Sequence, residues 1–69
     1  MDYTTLIATA KTQRGLLTYY KANGRIILVY DTDENRTYAL NEIIRQFSGK
    51  VETMTENTST VYNIICYIP

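Results

Sequence analysis

The sequence is poor in the residues that most often carry out chemistry. Its 69 residues include no histidine, no tryptophan, one cysteine and one proline. Without histidine the chain lacks the side chain that most readily exchanges protons near neutral pH, and it has no Ser-His or Cys-His pair. One cysteine without histidine also cannot form a zinc centre with the usual ligands. We therefore expect no catalytic residue, no metal and no cofactor.

Disulfides and membrane segments are lacking as well. Cys66 has no second cysteine to pair with, and small secreted domains usually depend on disulfides. No apolar run is long enough to span a bilayer, and the first residues do not follow the pattern of a signal peptide. These features predict a cytoplasmic protein that does not enter a membrane.

The chain has no excess of either charge. Seven basic residues balance seven acidic ones, which argues against general binding to polyanions. The charges are unevenly spread, because residues 1–29 carry four cations and one aspartate, a net of +3, and residues 30–69 carry the opposite −3. A chain of this length holds one small core, so we treat residues 1–69 as a single domain.

What is present begins with a hairpin. Asn23-Gly24 suits a tight turn, because both residues tolerate a positive φ. The flanking segments, Leu16 to Lys21 and Arg25 to Tyr30, are aromatic and β-branched and are predicted to be paired strands. The second of them is apolar on both faces, which predicts a central position in a sheet.

The second half of the chain predicts one helix and two strands. An apolar stripe at positions i, i+3, i+4 and i+7 indicates a helix with one buried side, and it consists of Leu40, Ile43, Ile44 and Phe47. Thr37 or Asn41 is predicted to cap the start of this helix, and Gly49 to end it. Segments 51–56 and 60–68 follow as strands. The last strand is apolar on both faces and is predicted to be central, and the glutamates of the other suit an edge.

The first segment, "TTLIATAK", is open to two interpretations. Its Thr and Ile residues favour a strand, while Leu6, Ile7 and Ala10 have helical spacing behind Asp2 or Thr4 as caps. We prefer the strand. The predicted fold is then α+β in the order β-β-β-α-β-β, a five-stranded antiparallel or mixed sheet with one helix packed on one face.

Residues 31–42, "DTDENRTYALNE", have the oxygen spacing of a calcium-binding loop. Asp31, Asp33, Asn35 and Glu42 occupy the first, third, fifth and twelfth places. Arg36, however, takes the sixth place, where such loops need glycine, and brings a cation next to the proposed metal. We expect a polar strand-to-helix connection with acidic groups near the helix N-terminus, and keep a calcium-dependent module as an alternative.

The N-terminal half suggests a nucleic-acid site as another alternative. Four cations lie in the predicted N-terminal hairpins beside Tyr19 and Tyr20, and cations with stacking aromatics are how single strands are bound. The net neutrality of the chain weakens this reading, since affinity depends on contacts to phosphate.

Seven tyrosines are more than so small a core can enclose, and tyrosine is favoured at protein interfaces. We therefore predict a small protein-binding module without catalysis, an inhibitor or adaptor of a partner protein, of which a phage-type inhibitor of host machinery is one example. An uncharged edge strand at residues 3–10 would pair with a partner or with a second copy as a homodimer. The expected contact residues are Tyr3, Thr5, Ile7, Tyr19, Tyr20, Lys21 and Arg25.

Overall fold

The computed structural model describes residues 2–69 as two helices packed on one face of a four-stranded antiparallel sheet. In chain order the elements are α1 (Tyr3–Lys11), β1 (Leu16–Ala22), β2 (Arg25–Tyr30), α2 (Asp33–Gln46), β3 (Glu52–Asn57) and β4 (Tyr62–Tyr67). The predicted α+β class is confirmed. The predicted five strands and single helix are wrong in detail, because the first segment is helical.

The helix α1 replaces the strand that we preferred for the N-terminal segment. Asp2 caps it, with Oδ1 accepting a hydrogen bond from the backbone N–H of Thr5 at 3.1 Å. Leu6 and Ala10 lie one turn apart and are fully buried. A helix gathers Ile7 with Leu6 and Ala10 on the side that packs against the core, whereas a strand would place Ile7 on the face opposite to the other two. The helical alternative was the correct one.

The hairpin and the two central strands were predicted correctly. Asn23 and Gly24 have φ of 53° and 75°, the values that a tight turn between β1 and β2 requires. The sheet order is β1-β2-β4-β3, so β2 and β4 are interior and β3 is an edge. The other edge is β1, not the segment at residues 3–10, and its register shifts between Leu16 and Thr18.

The helix α2 begins earlier than predicted and turns its buried side differently. Thr32 is the N-cap instead of Thr37 or Asn41, and its Oγ1 accepts from the N–H of Asn35 at 3.1 Å. Ile43 and Phe47 are buried as expected, but Ile44 is 49% exposed. The contact stripe runs through Arg36, Ala39, Ile43 and Phe47, which places Ile44 on the solvent side of the helix.

One core lies between the helices and the sheet. It is built from α1 and α2 on one side and from the inward residues of β2 and β4 on the other: Ile26, Leu28, Tyr30, Ile64 and Cys66. The Tyr30 hydroxyl, fully buried, donates to the carbonyl of Ala10 at 3.2 Å, which fixes α1 over the sheet. This polar link satisfies a hydroxyl that the core encloses.

Helix–strand–strand occurs twice along the chain, although the sequence shows no repeat. The second strands of the two units, β2 and β4, pair antiparallel at the centre of the sheet, with Leu28 opposite Ile64. The fold is therefore approximately symmetric about a two-fold axis that runs perpendicular to the sheet between β2 and β4.

Candidate protein-binding face

The face of the sheet away from the helices is uncovered by any described element, and we call it the open face. Side chains alternate between the two faces of a strand, so the pairing register assigns its members. They form three rows across β1, β2, β4 and β3: Thr18, Val29, Asn63 and Glu56; Tyr20, Ile27, Ile65 and Met54; Ala22, Arg25, Tyr67 and Glu52.

The middle of the open face is apolar. Ile27 and Val29 are each 8% exposed and Ile65 is half-buried, although neither α1 nor α2 lies above them. Around them, the larger side chains of Tyr20, Met54 and Tyr67 remain 51%, 61% and 38% exposed. Exposed apolar surface of this kind, gathered on one face, is typical of interaction sites.

The margins of the open face carry its charges. Glu52 and Glu56 flank Met54 on β3, while Arg25 begins β2 and holds its guanidinium carbon 5.3 Å from the centre of the Tyr67 ring. A shallow depression of about 530 Å³ lies between them, lined by Arg25, Glu52, Thr53, Met54, Ile65 and Tyr67. The face is thus apolar at the centre, acidic along β3 and basic at one end of β2.

Asn63 is a buried polar residue in the open-face row with Val29 and Glu56. It is 5% exposed, and its Oδ1 accepts no hydrogen bond within residues 2–69. A buried acceptor without a donor costs free energy. In the sequence, the only feature that distinguishes Asn63 is that it is a polar residue inside an apolar strand.

The predicted contact residues do not form one surface. Tyr20 and Arg25 belong to the open face, whereas Tyr19 and Lys21 lie on the helix side of β1 and three others belong to α1: Tyr3, Thr5 and Ile7. Ile7 packs against the core, and Thr5 hydrogen-bonds the Asp2 cap. The edge-strand premise behind this grouping was wrong, because residues 3–11 are helical.

Sequence reasoning missed most of the open face. Ile27, Val29, Met54, Ile65 and Tyr67 were not among the predicted contact residues. The signal was present, since two central strands apolar on both faces need cover on both, and the chain was predicted to have only one helix to supply it. The pattern thus indicates an uncovered face in addition to the central position predicted for the two strands.

Two of the basic residues near the tyrosines, Lys11 and Lys21, are already engaged with a tyrosine ring. The Lys11 amine is 5.4 Å from the centre of the Tyr19 ring, and the Lys21 amine is 5.5 Å from that of Tyr3. The Tyr3 hydroxyl also donates to the carbonyl of Gly24 at 2.5 Å. One side of each ring is therefore taken by a cation of the same chain, which leaves less of it for stacking a base.

Residues 31–42, which have the spacing of a calcium-binding loop, are divided between the β2–α2 connection and α2. Asp31 Oδ1 accepts from Asn35 Nδ2 at 2.8 Å, and both side chains close over Gly15, where a Cβ would lie 2.3 Å from that Oδ1. Asp33 and Glu42 pair instead with arginines of α2: Arg36 at 2.8 Å and Arg45. Among residues 2–69, no three acidic, histidine or cysteine side chains converge as a metal site.

Arg36 has a structural role that the sequence did not reveal. Its side chain is 9% exposed and reaches from α2 to the β3–β4 hairpin, where Nη1 donates to Asn57 Oδ1 at 2.6 Å. Nη2 donates to Asp33, and the guanidinium carbon lies 5.6 Å from the centre of the Tyr62 ring. Arg36 therefore links the helix N-terminus to the acidic edge of the sheet.

Cys66 is enclosed in the core. It is fully buried, and burial raises the pKa of its thiol to about 12. The group therefore stays protonated near neutral pH, whereas a nucleophilic or metal-binding cysteine acts as the thiolate.

Within residues 2–69, neither helix has the length and apolar character needed to cross a bilayer. Comparison of the chain with protein-family models, with curated proteins and with solved structures found no significant match. Function is therefore inferred from the chemistry of the site itself.

Proposed function

We propose that the chain is a non-enzymatic protein-binding module and that it binds through the open face. One observation carries the proposal: Ile27, Val29 and Ile65 form an apolar centre that neither helix covers. Exposed aromatic and methionine side chains surround it, and these are the residue types enriched where proteins meet. An inhibitor or adaptor acts in this way, by occupying the surface of another protein.

A protein suits this face better than the alternatives do. Two carboxylates, Glu52 and Glu56, outnumber one cation, Arg25, so the open face has a net negative charge, which disfavours contact with a phosphate backbone. The buried thiol of Cys66 and the absence of histidine favour a role without catalysis. Calcium dependence remains the weaker alternative, because Asp33 and Glu42 already pair with arginines.

The test compares two exposed positions on opposite sides of the molecule. Met54 is 61% exposed on the open face, and Tyr38 is 64% exposed on α2. The tagged chain, with Met54→Arg and Tyr38→Arg as variants, is used to capture proteins from its source cells, copies of itself included. Met54→Arg should lose the captured protein and Tyr38→Arg should keep it. Equal capture by both variants would contradict binding through the open face.

A further inference from the structure

We infer that the occupant of the open face is a second copy of the chain, packed sheet against sheet about a two-fold axis parallel to the strands. The inference rests on the proposed function and names the partner of the same face. Because one face serves both, a second copy and another bound protein would compete for it. Its basis is that reversing the rows of the open face sets apolar side chains against apolar ones in the central row and brings no like charges together in the outer rows.

The central row shows this complementarity best. A two-fold axis parallel to the strands and midway between β2 and β4 reverses the order of each row and places it against the same row of the partner. Ile27 then faces the partner's Ile65, and Tyr20 faces the partner's Met54. Every contact in this row is apolar, and the two most exposed side chains of the row, Tyr20 and Met54, cover each other.

The outer rows keep like charges apart. Glu56 faces the partner's Thr18, whose hydroxyl can donate to the carboxylate, and Glu52 faces the partner's Ala22. Arg25 faces the partner's Tyr67, the ring type that it already approaches within its own chain.

The other two-fold axis in the plane of the sheet is disfavoured by charge. An axis across the strands lays β3 on β3 and brings Glu52 against the partner's Glu56 on both sides of the interface. Juxtaposed like charges at an interface oppose association. The distribution of charge therefore selects the axis along the strands.

The size of the face sets the expected strength of the dimer. Four strands of about six residues make a sheet roughly 15 Å by 20 Å between its outer backbone atoms. With side chains included, two copies would bury on the order of 1,000 Å² in total, the lower limit for a specific interface. We therefore expect a reversible dimer that dissociates on dilution through the micromolar range.

The first measurement is the mass of the purified chain by analytical ultracentrifugation over a wide range of concentration. It should rise from 8.0 kDa toward twice that value as the concentration increases. Tyr20→Lys and Met54→Glu should each weaken self-association by about tenfold or more, since each places an unpaired charge against an apolar side chain. Tyr38→Lys, on the helix side, should not change it.

The second measurement tests the axis by mixing Tyr20→Lys with Met54→Glu. The introduced lysine of one chain then meets the introduced glutamate of the other, while the second contact keeps the native methionine and tyrosine. The mixture should therefore form a heterodimer although each variant alone is a monomer. Both positions are more than half exposed, so folding should survive, and the reversed pair Tyr20→Glu with Met54→Lys serves if a variant fails to melt cooperatively.

Two results would overturn the inference. A wild-type chain that stays at 8.0 kDa at every concentration excludes the second copy, while capture that still depends on Met54 would leave the proposed function standing. A wild-type dimer whose complementary variants fail to associate in the mixture would show that the axis is wrong. Loss of both self-association and Met54-dependent capture would reject the two proposals together.

Discussion

The two faces of the sheet are both apolar at the centre, but they have different neighbours. On the covered face Ile26, Leu28 and Ile64 are fully buried under α1 and α2. On the open face Ile27 and Ile65, adjacent to them in sequence, have only the neighbouring side chains of the sheet around them. The comparison teaches that an apolar strand face is not always covered by the chain's own helices, and an apolar face left open in this way is typical of interaction sites.

The two faces also differ in whether a buried polar side chain has a hydrogen-bond partner. On the covered face the Tyr30 hydroxyl has its acceptor in the Ala10 carbonyl, at 3.2 Å. On the open face Asn63 Oδ1 has no donor within residues 2–69. For these two residues, hydrogen bonding is complete where the helices cover the sheet and incomplete where they do not.

Truncation of Phe47, a buried residue of the core, should give the largest loss of stability. Phe47→Ala is expected to lower the free energy of unfolding by roughly 3–5 kcal/mol, because it empties a buried site. Ile44→Ala, three residues earlier on the exposed side of α2, should change it little. Urea denaturation of both variants measures the contrast. A Phe47→Ala protein as stable as the wild type would mean that α2 does not pack through this residue.

A pair of neighbours on β4 compares the faces directly. Ile64→Ala should cost roughly 2–5 kcal/mol of stability, while Ile65→Ala, on the open face, should cost about 1 kcal/mol in the monomer. Denaturation has to be followed at a low, fixed protein concentration so that association does not contribute. Equal losses at the two positions would show that the open face is as enclosed as the covered one.

Arg36 joins α2 to the edge of the sheet and should have an intermediate effect. Arg36→Leu removes the hydrogen bonds to Asn57 and Asp33 and is expected to cost about 1–2 kcal/mol. Arg45→Leu removes only a solvent-exposed pair with Glu42 and should leave the melting temperature nearly unchanged. A larger loss for Arg45→Leu than for Arg36→Leu would contradict the assigned role.

Alkaline pH should lower the stability of the protein through two buried groups on the covered face. Burial raises the pKa of Cys66 from 9.0 to about 12 and, with the nearby Cys66 charge, that of Tyr30 from 10.0 to about 12. Folding therefore favours the neutral form of both groups. This contribution to the free energy of unfolding is complete below pH 9 and is lost as the pH rises from 9 to 12. The melting temperature should fall over this range, less steeply for Tyr30→Phe. A profile flat to about pH 11 would exclude this linkage.

Calcium should have the smallest effect of all. Asp31 is held by Asn35, and Asp33 and Glu42 by arginines, so we expect millimolar calcium to leave the melting temperature unchanged. An increase of several degrees that Asp31→Ala abolishes would establish a calcium site after all.

Local patterns predicted the elements that depend on neighbouring residues. Asn23-Gly24 defined the hairpin through its backbone preference, and the spacing of Ile43 and Phe47 located α2. The same spacing did not fix the rotation of the helix, because Ile44 fits an apolar stripe as well as Ala39 does. Arg36 lies on the buried side of the helix, and its partner Asn57 is 21 residues away, a contact that no local pattern contains.

The sequence by itself determined the α+β class, the two central strands, the acidic edge at β3 and the poverty of catalytic side chains. Only the tertiary structure decided that residues 3–11 are a helix, since burying Leu6 and Ala10 against Tyr30 requires the sheet to be in place. It also decided which apolar face of β2 and β4 the helices cover. A strand with two apolar faces carries no preference between them, and the choice is made by where two distant helices pack.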